Sequence, residues 1–336
     1  MAITFAGAAS ILLTVTLQIT IGVLEFAYSN LLNLACLITY RRSKVSGHFL
    51  NVPTVYKIGT RWISAIPRPL AYALSQGIAF VSYMAYRRAV DNVKGNLMKA
   101  LPSRSAKDIS ALTLRLFMNY SKYLVDYGRL TGQSRDNVID AIISYEGKEN
   151  LDAARAMNRG IILLTAHLGN WELGGIFFGS YGLRTNVVTM QDSNIQIDEV
   201  RRSYRERHNV NTITIGESPF STIEMLNALN NGEVVAMLID RYREGLDFIE
   251  ADFFGQTSRF PKGPFTLSRL TGAAIIVAFV VKDGNGYRGI IESPMVVNEE
   301  NDEADVLKKV IRILERNIVK YPDQWYNFTP IEIGGK

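Results

Sequence analysis

A single cysteine, Cys36, stands among the 336 residues. One thiol forms no intrachain disulfide and builds no cysteine-based metal site. Histidine is nearly as scarce: His48, His167 and His208 lie far apart along the chain, without the close spacing that metal sites use. No Gly-x-Ser-x-Gly elbow occurs, which removes the usual serine-hydrolase arrangement. Excess charge is also small, since 37 Lys and Arg against 32 Asp and Glu leave a formal +5. That balance suits an anionic membrane surface or phosphorylated substrates. It is too weak to argue for nucleic acid, and no RNA-binding aromatic signature or zinc-finger spacing accompanies it. Internal repeats and low-complexity linkers are absent as well.

Charge is missing altogether from Ala2 to Leu24, a run long enough to cross a bilayer. After Glu25 the chain is again mostly apolar from Phe26 to Tyr40, and Arg41-Arg42-Ser43-Lys44 ends it. Signal peptides begin with positive charge, and none precedes Arg41. The expectation is therefore an uncleaved anchor over residues 1–44, with the basic flank holding the rest of the chain on the cytoplasmic side. A second uncharged run, Pro69 to Tyr86, has Arg68 before it and Arg87-Arg88 after it. Basic residues at both ends favour a helix lying at the membrane interface, or an ordinary core helix, over a second crossing. Asp108 to Leu130 reads as a long amphipathic helix with Leu112, Leu116, Tyr120, Tyr123 and Leu124 on one side, facing core or membrane.

From Ile142 the pattern changes to alternating strands and helices. Strands are expected at 142–145, 161–166, 186–190, 212–215, 233–240, 248–254 and 274–281. A further strand at 287–291 pairs with the last across Asp283-Gly-Asn-Gly286. Helices are expected between them and at 305–319. The predicted fold is α/β, with a mixed, mostly parallel central sheet flanked by helices and preceded by a membrane anchor helix. It divides into 1–44 (anchor and basic flank), 45–141 (helical and membrane-associated) and 142–336 (catalytic α/β domain).

The stretch around which this pattern turns is Gly160-Ile-Ile-Leu-Leu-Thr-Ala-His-Leu-Gly-Asn-Trp-Glu-Leu-Gly-Gly175. Ile161 to Ala166 is apolar or small throughout, as in a strand buried on both faces. His167 falls just past its end, where open α/β sheets bind ligands. Asn170 is a good N-cap for the helix that follows, and Glu172 sits in that helix's first turn. His167 and Glu172 are five positions apart, which separates them by roughly 140° on a continuous helix, but an intervening turn can bring them together. A carboxylate beside an imidazole fixes its tautomer and stabilises the imidazolium, which equips a general base for a hydroxyl or amine. The same two residues also fit a histidine at a strand end beside an unrelated surface glutamate.

His167-Leu-Gly-Asn-Trp-Glu172 resembles the H-x4-D/E signature of glycerolipid-type acyltransferases, in the form carried by bacterial lipid A late acyltransferases and their phosphatidylinositol mannoside relatives. The resemblance extends from Arg68 to Phe328. It includes Arg88 to Leu97 with Leu101-Pro102, which resembles an "R…NL…P" run, and Glu250-Ala-Asp-Phe-Phe-Gly255, which resembles "V-x-F-F-G". It also includes Arg259-Phe-Pro-Lys-Gly-Pro264 and the closing Pro322-Asp-Gln-Trp-Tyr-Asn327. Membership would imply a bacterial inner-membrane acyltransferase with its catalytic domain on the cytoplasmic side. An acyl-carrier protein or acyl-coenzyme A thioester would be the donor, a membrane lipid or glycolipid the acceptor, and no cofactor or metal would be needed. His167 would then be the base and Glu172 its orienter, with Glu250, or Asp252 on the same strand face, as alternative acid partners. Gly169 and Asn170 would position the oxyanion through backbone amides. Arg205, Asp240, Arg241, Lys262, Gly263, Gln324 and Trp325 would contact substrate. Asp240-Arg241 equally fits a salt-bridged strand end, Lys262 an exposed turn, and Trp325 simple packing. The chain departs from the lipid A pattern at Met190-Gln191, where those enzymes carry Tyr-Arg, and at Thr329 to Ile333, where they carry a basic run. Two other readings use the same features: a thioesterase whose dyad activates water, and a non-catalytic lipid-binding protein.

Overall fold

The computed structural model describes residues 66–331, apart from 131–132, 181, 191–194 and 217–219. The expected anchor over 1–44, Cys36 and His48 lie outside these. Among the described residues no helix is long and apolar enough to cross a membrane.

Three helices come first: α1 (Arg68–Ala85), α2 (Arg87–Ala100) and α3 (Ala106–Leu130). Pro69 near the start of α1 suits the first turn, where its missing N–H costs nothing. α1 turns Ala71, Ala79 and Tyr72 inward and leaves Leu70, Leu74, Ile78, Phe80, Val81 and Met84 exposed. α2 buries Val90, Val93, Leu97 and Ala100 at helical spacing. A short helix, α4 (Arg135–Ile139), capped by the Ser134 side chain, leads into the sheet.

The sheet has seven strands: β1 (Ile142–Glu146), β2 (Ile161–Thr165), β3 (Thr185–Met190), β4 (Val210–Ile215), β5 (Val234–Leu238), β8 (Ala274–Asp283) and β9 (Gly286–Ile291). Their spatial order is β1-β9-β8-β2-β5-β3-β4. β8, β2, β5, β3 and β4 run parallel, and β9 with β1 run the other way. The unbroken apolar run of β2 follows from its central place, because alternate residues serve two cores. Ile161 and Leu163 join α5 (Lys148–Ala156), α6 (Trp171–Ser180) and α7 (Ile195–Arg207) on one face. Ile162 and Leu164 join α8 (Ser221–Asn230), α9 (Gly263–Thr271) and α10 (Glu303–Lys320) on the other.

The expected strands and helices are present with shifted ends, and the mixed, mostly parallel sheet is as expected. Three of these elements were not anticipated: α2, α4, and β7 (Gln256–Pro261), which closes an antiparallel hairpin on β6 (Phe248–Phe253) apart from the main sheet. β7 ends in proline and carries little alternation, so its pairing comes from the Phe254-Gly255 turn. Strand order was also not legible in the sequence: β5 inserts between β2 and β3, so β2 and β5 become direct neighbours.

Candidate active site

That insertion brings the site together. β2 and β5 pair in register, with Thr165 opposite Leu238, and Ile239 N–H continues the ladder to Thr165 O at 2.9 Å. His167 lies two residues past Thr165 and Asp240 two past Leu238, so both side chains leave the same rung of the sheet's carboxyl edge. Nδ1 of His167 is 2.8 Å from Oδ1 of Asp240. The imidazole keeps 18% of its surface exposed and the carboxylate none. Burial alone would raise the Asp240 carboxyl. The neighbouring imidazole, Arg241 and the Trp325 N–H together outweigh it and hold the group at about 2.

The expectation that Glu172 orients His167 is corrected here. Asn170 caps α6 as expected, its Oδ1 accepting from Leu173 N–H at 3.3 Å, but the helix then aims Glu172 at Arg205 in the last turn of α7. The two form a bidentate pair, 2.7 Å from Nη2 to Oε1 and 3.1 Å from Nε to Oε2. Burial pushes the Glu172 carboxyl up, and Arg205 pulls it below the ordinary value. Arg205, expected to contact substrate, thus has two of its guanidinium nitrogens engaged by Glu172. The alternative acid partners do not reach the imidazole either. Glu250 is half-exposed and meets Arg259 at 3.3 Å. Asp252 accepts from Gly255 N–H in the hairpin turn.

The oxyanion assignment changes too. Gly169 N–H donates to Gln324 O at 2.9 Å and Asn170 N–H to Val280 O at 2.6 Å, so neither amide faces a substrate. Gly169 adopts φ +66°, and a β-carbon there would lie 2.1 Å from Val280 O. Only glycine fits the loop that carries the histidine.

A cavity of about 650 Å³ opens at this edge. His167, Glu172, Arg205, Asp240 and Arg241 all line it. Val188, Met190, Ile215, Met237 and Leu246 form apolar walls, and Arg201, Arg243 and Arg259 add positive charge. Tyr120 and Tyr123 of α3, expected to face core or membrane, line it, as does Tyr127. Tyr123 stacks on Trp171 at 4.8 Å, and Trp171 meets the His167 ring edge-on at 5.2 Å. Their helical spacing was visible in the sequence, but not the site they would face.

Of the other predicted contacts, Lys262, Gly263, Gln324 and Trp325 do not line the cavity. Lys262 pairs with Glu303 at 3.5 Å, while Pro261 and Pro264 on either side line the cavity. Gly263 only opens α9. Gln324 locks onto the main chain of Lys282, accepting from its N–H at 2.7 Å and donating to its carbonyl at 3.1 Å. Trp325 is buried and gives its indole N–H to Asp240 Oδ2 at 3.0 Å. Arg241 donates to Asn327 Oδ1 and Tyr326 O, both at 2.9 Å. His208 is buried edge-on against Tyr204. Among the described residues, no cluster of three or more His, Cys, Asp and Glu side chains could hold a metal ion.

A sequence profile of the bacterial lipid A biosynthesis acyltransferases matches residues 45–330. The chain belongs to that family. It is an acyltransferase, as are the relatives it resembles. A lipid A biosynthesis palmitoleoyltransferase of Escherichia coli (strain K12) is 27% identical over 278 residues, covering 81% of this chain and 88% of that protein. A phosphatidylinositol mannoside acyltransferase of Mycolicibacterium smegmatis (strain ATCC 700084 / mc(2)155) is 26% identical over 293 residues, covering 82% and 89%. A lipid A biosynthesis lauroyltransferase of Escherichia coli (strain K12) is 25% identical over 273 residues, covering 80% and 87%. The H-x4-E segment of this lipid A-type acyltransferase is therefore two devices: a histidine that pairs across the sheet, and a glutamate that fastens α7 to α6.

Proposed function

We propose that this acyltransferase moves a fatty acyl chain from an acyl thioester to a hydroxyl or amine of a lipid or glycolipid acceptor, with His167 as base and Asp240 as its orienting carboxylate. The observation that carries the reading is the 2.8 Å contact between these two side chains on the wall of the cavity. With Nδ1–H donated to Asp240, Nε2 is the free basic nitrogen. It takes the proton as the acceptor oxygen or nitrogen attacks the thioester carbonyl carbon. The tetrahedral intermediate collapses, the C–S bond breaks, and the imidazolium returns its proton to the departing thiolate. Attack is direct, so no covalent enzyme intermediate forms. Since the Gly169 and Asn170 amides are engaged, the developing oxyanion falls to a cationic side chain. Arg241 lines the cavity, and its Nη1 makes no hydrogen bond among the described residues.

The apolar walls suit an acyl chain, and the arginines suit a phosphate on the acceptor or on the donor's pantetheine arm. Acyl-carrier protein is the donor favoured by a basic surface, with acyl-coenzyme A as the other thioester source. A lipid A-type precursor is the favoured acceptor, by likeness to the enterobacterial relatives, with a phosphatidylinositol mannoside or an amino-lipid as alternatives. We place the work at the cytoplasmic face of a bacterial inner membrane. Supporting this, α1 exposes Leu70, Leu74, Ile78, Val81 and Met84 along one side, and the exposed Arg87 and Arg88 follow at its end. An apolar stripe with basic neighbours suits an anionic bilayer surface.

The test offers purified full-length protein lauroyl- and palmitoyl-acyl-carrier protein with a lipid A precursor, a phosphatidylinositol mannoside or an amino-lipid, and follows products by mass spectrometry. An acylated lipid made by the wild type and lost in His167→Ala is the expected result. Free fatty acid as the sole product with every acceptor would make the protein a thioesterase instead.

A further inference from the structure

We propose that Trp325 is a positioning residue of the transfer site: its indole N–H fixes the Asp240 carboxylate so that Oδ1 faces His167, making a three-membered chain from tryptophan to aspartate to histidine. The proposal rests on the His167–Asp240 reading above and adds a member that never meets substrate.

The Asp240 carboxylate has no exposed surface, and among the described residues each of its oxygens has one hydrogen-bond partner. Oδ1 meets His167 Nδ1 at 2.8 Å, and Oδ2 accepts from Trp325 Nε1 at 3.0 Å. Arg241 contributes charge from the next residue, but its own hydrogen bonds go to Tyr326 and Asn327. The terminal torsion of an aspartate is broad and roughly two-fold. Held only at Oδ1, the carboxylate would twist freely and leave Oδ2 buried without a donor. The indole supplies that donor and nothing else: it cannot accept and does not titrate near neutral pH. It therefore holds the carboxylate without competing for the proton in transit.

The tryptophan is itself held on several sides. It is 1% exposed, which sets aside a substrate contact. Its strap bridges to the histidine loop, with Tyr326 N–H donating to His167 O at 2.7 Å and Gly169 N–H to Gln324 O at 2.9 Å. One short segment therefore places the main chain of the base and the side chain of its acid. Behind the indole lie Phe253 and Phe254, at 6.2 and 6.0 Å between ring centroids. Phe254 occupies the left-handed region at φ +53°, which a bulky residue adopts only when its surroundings impose it. Its N–H is taken by Glu315 of α10 at 2.5 Å. The β6–β7 tip is thus pinned against the indole, as a wedge behind a positioning group would be.

The test replaces the N–H alone. Trp325→benzothienylalanine, introduced site-specifically in the full-length protein, keeps the bicyclic shape and puts sulfur where the donor was. Transfer is measured with the donor and acceptor that serve the wild type. The tautomer of His167 is read from imidazole ¹⁵N resonances, assigned by their loss in His167→Ala. We expect kcat to fall about 10- to 100-fold, as small misplacements of reacting groups do, with KM changed less than about twofold and the melting temperature held. The Nδ1–H tautomer of His167 should lose population to Nε2–H. Trp325→Phe should lose both activity and melting temperature, since it also opens space. An unchanged kcat and tautomer in the benzothienyl protein would overturn the proposal and leave the dyad standing. Wild-type transfer by His167→Ala would instead overturn the dyad, and the proposal with it.

Discussion

At the scale of single residues, the dyad and the ion pair beside it make opposite predictions. Asp240→Asn should cut transfer by about 10²–10⁴-fold, the range of a general base, because the amide permits the wrong imidazole tautomer. Initial rates on an acyl-carrier-protein donor, with a melting curve on the same sample, check this. Glu172→Gln and Arg205→Ala should act chiefly on stability. Removing one partner of a buried pair costs about 3–5 kcal/mol, or roughly 6–20 °C in Tm for a domain of this size. Thermal unfolding of the two single variants and a Glu172→Leu/Arg205→Met double variant tests it, and the double should recover part of the loss. The place of His167 just past the end of β2 was legible because its cues are local: an apolar strand before it, a glycine and a helix cap after it. Its partner was not. Glu172 is near in sequence, whereas Asp240 lies 73 residues on and becomes a neighbour only through strand order. Local sequence pattern gives strands and their ends but not which strand lies beside which.

At the scale of elements, the loop after β2 is confined from two sides, by β8 through Val280 O and by the strap through Gln324 O. Gly169→Ala should therefore lower both Tm and activity, because an added methyl meets main chain that has nowhere to go. Equal loss of kcat and stability, measured on one preparation, is the expected outcome. The N-terminal helices are fastened by a second buried carboxylate. Asp126 of α3 accepts from Arg68 and Tyr72 of α1, Lys282 of β8 and Tyr287 of β9 at 2.5–3.1 Å. It was not legible in the sequence because its partners come from three separate elements, α1, β8 and β9, and a lone aspartate in a long amphipathic helix carries no signal. The helix α1, by contrast, was legible, since an uncharged run with basic ends is a one-dimensional pattern, though which of its faces stays exposed was not. Vesicles containing phosphatidylglycerol should retain the wild type more than a Leu74→Glu/Val81→Glu variant in a flotation assay. Equal retention would remove α1 from the contact.

At the scale of the whole molecule, three buried carboxylates share one sign of pH dependence. Asp240, Asp126 and Glu172 are all lowered in the folded protein, Asp240 from 3.8 to about 2. Burial opposes the shift in each case, and the paired cations and donors outweigh it. The unfolded chain then binds protons at a higher pH than the native one, so stability falls as pH falls. The contribution from Asp240 is fully present above about pH 4 and is lost between pH 4 and 2. The urea midpoint should drop steeply over that window, and Asp126→Asn should lower the midpoint at neutral pH while making the acid slope shallower.

The strap also has a consequence in time. A ribosome delivers His167 first, Asp240 73 residues later, and Trp325 a further 85 after that. At about 5–20 residues per second, the interval from the histidine to the tryptophan is roughly eight to thirty seconds. Throughout it the nascent chain carries an imidazole with no fixed tautomer and a cavity without its closing segment. On the proposed mechanism, a half-made copy would be a poor catalyst even where thioester and lipid are abundant. Messages or nicks that stop the chain before Pro322 should yield fragments that neither transfer nor squander activated acyl groups.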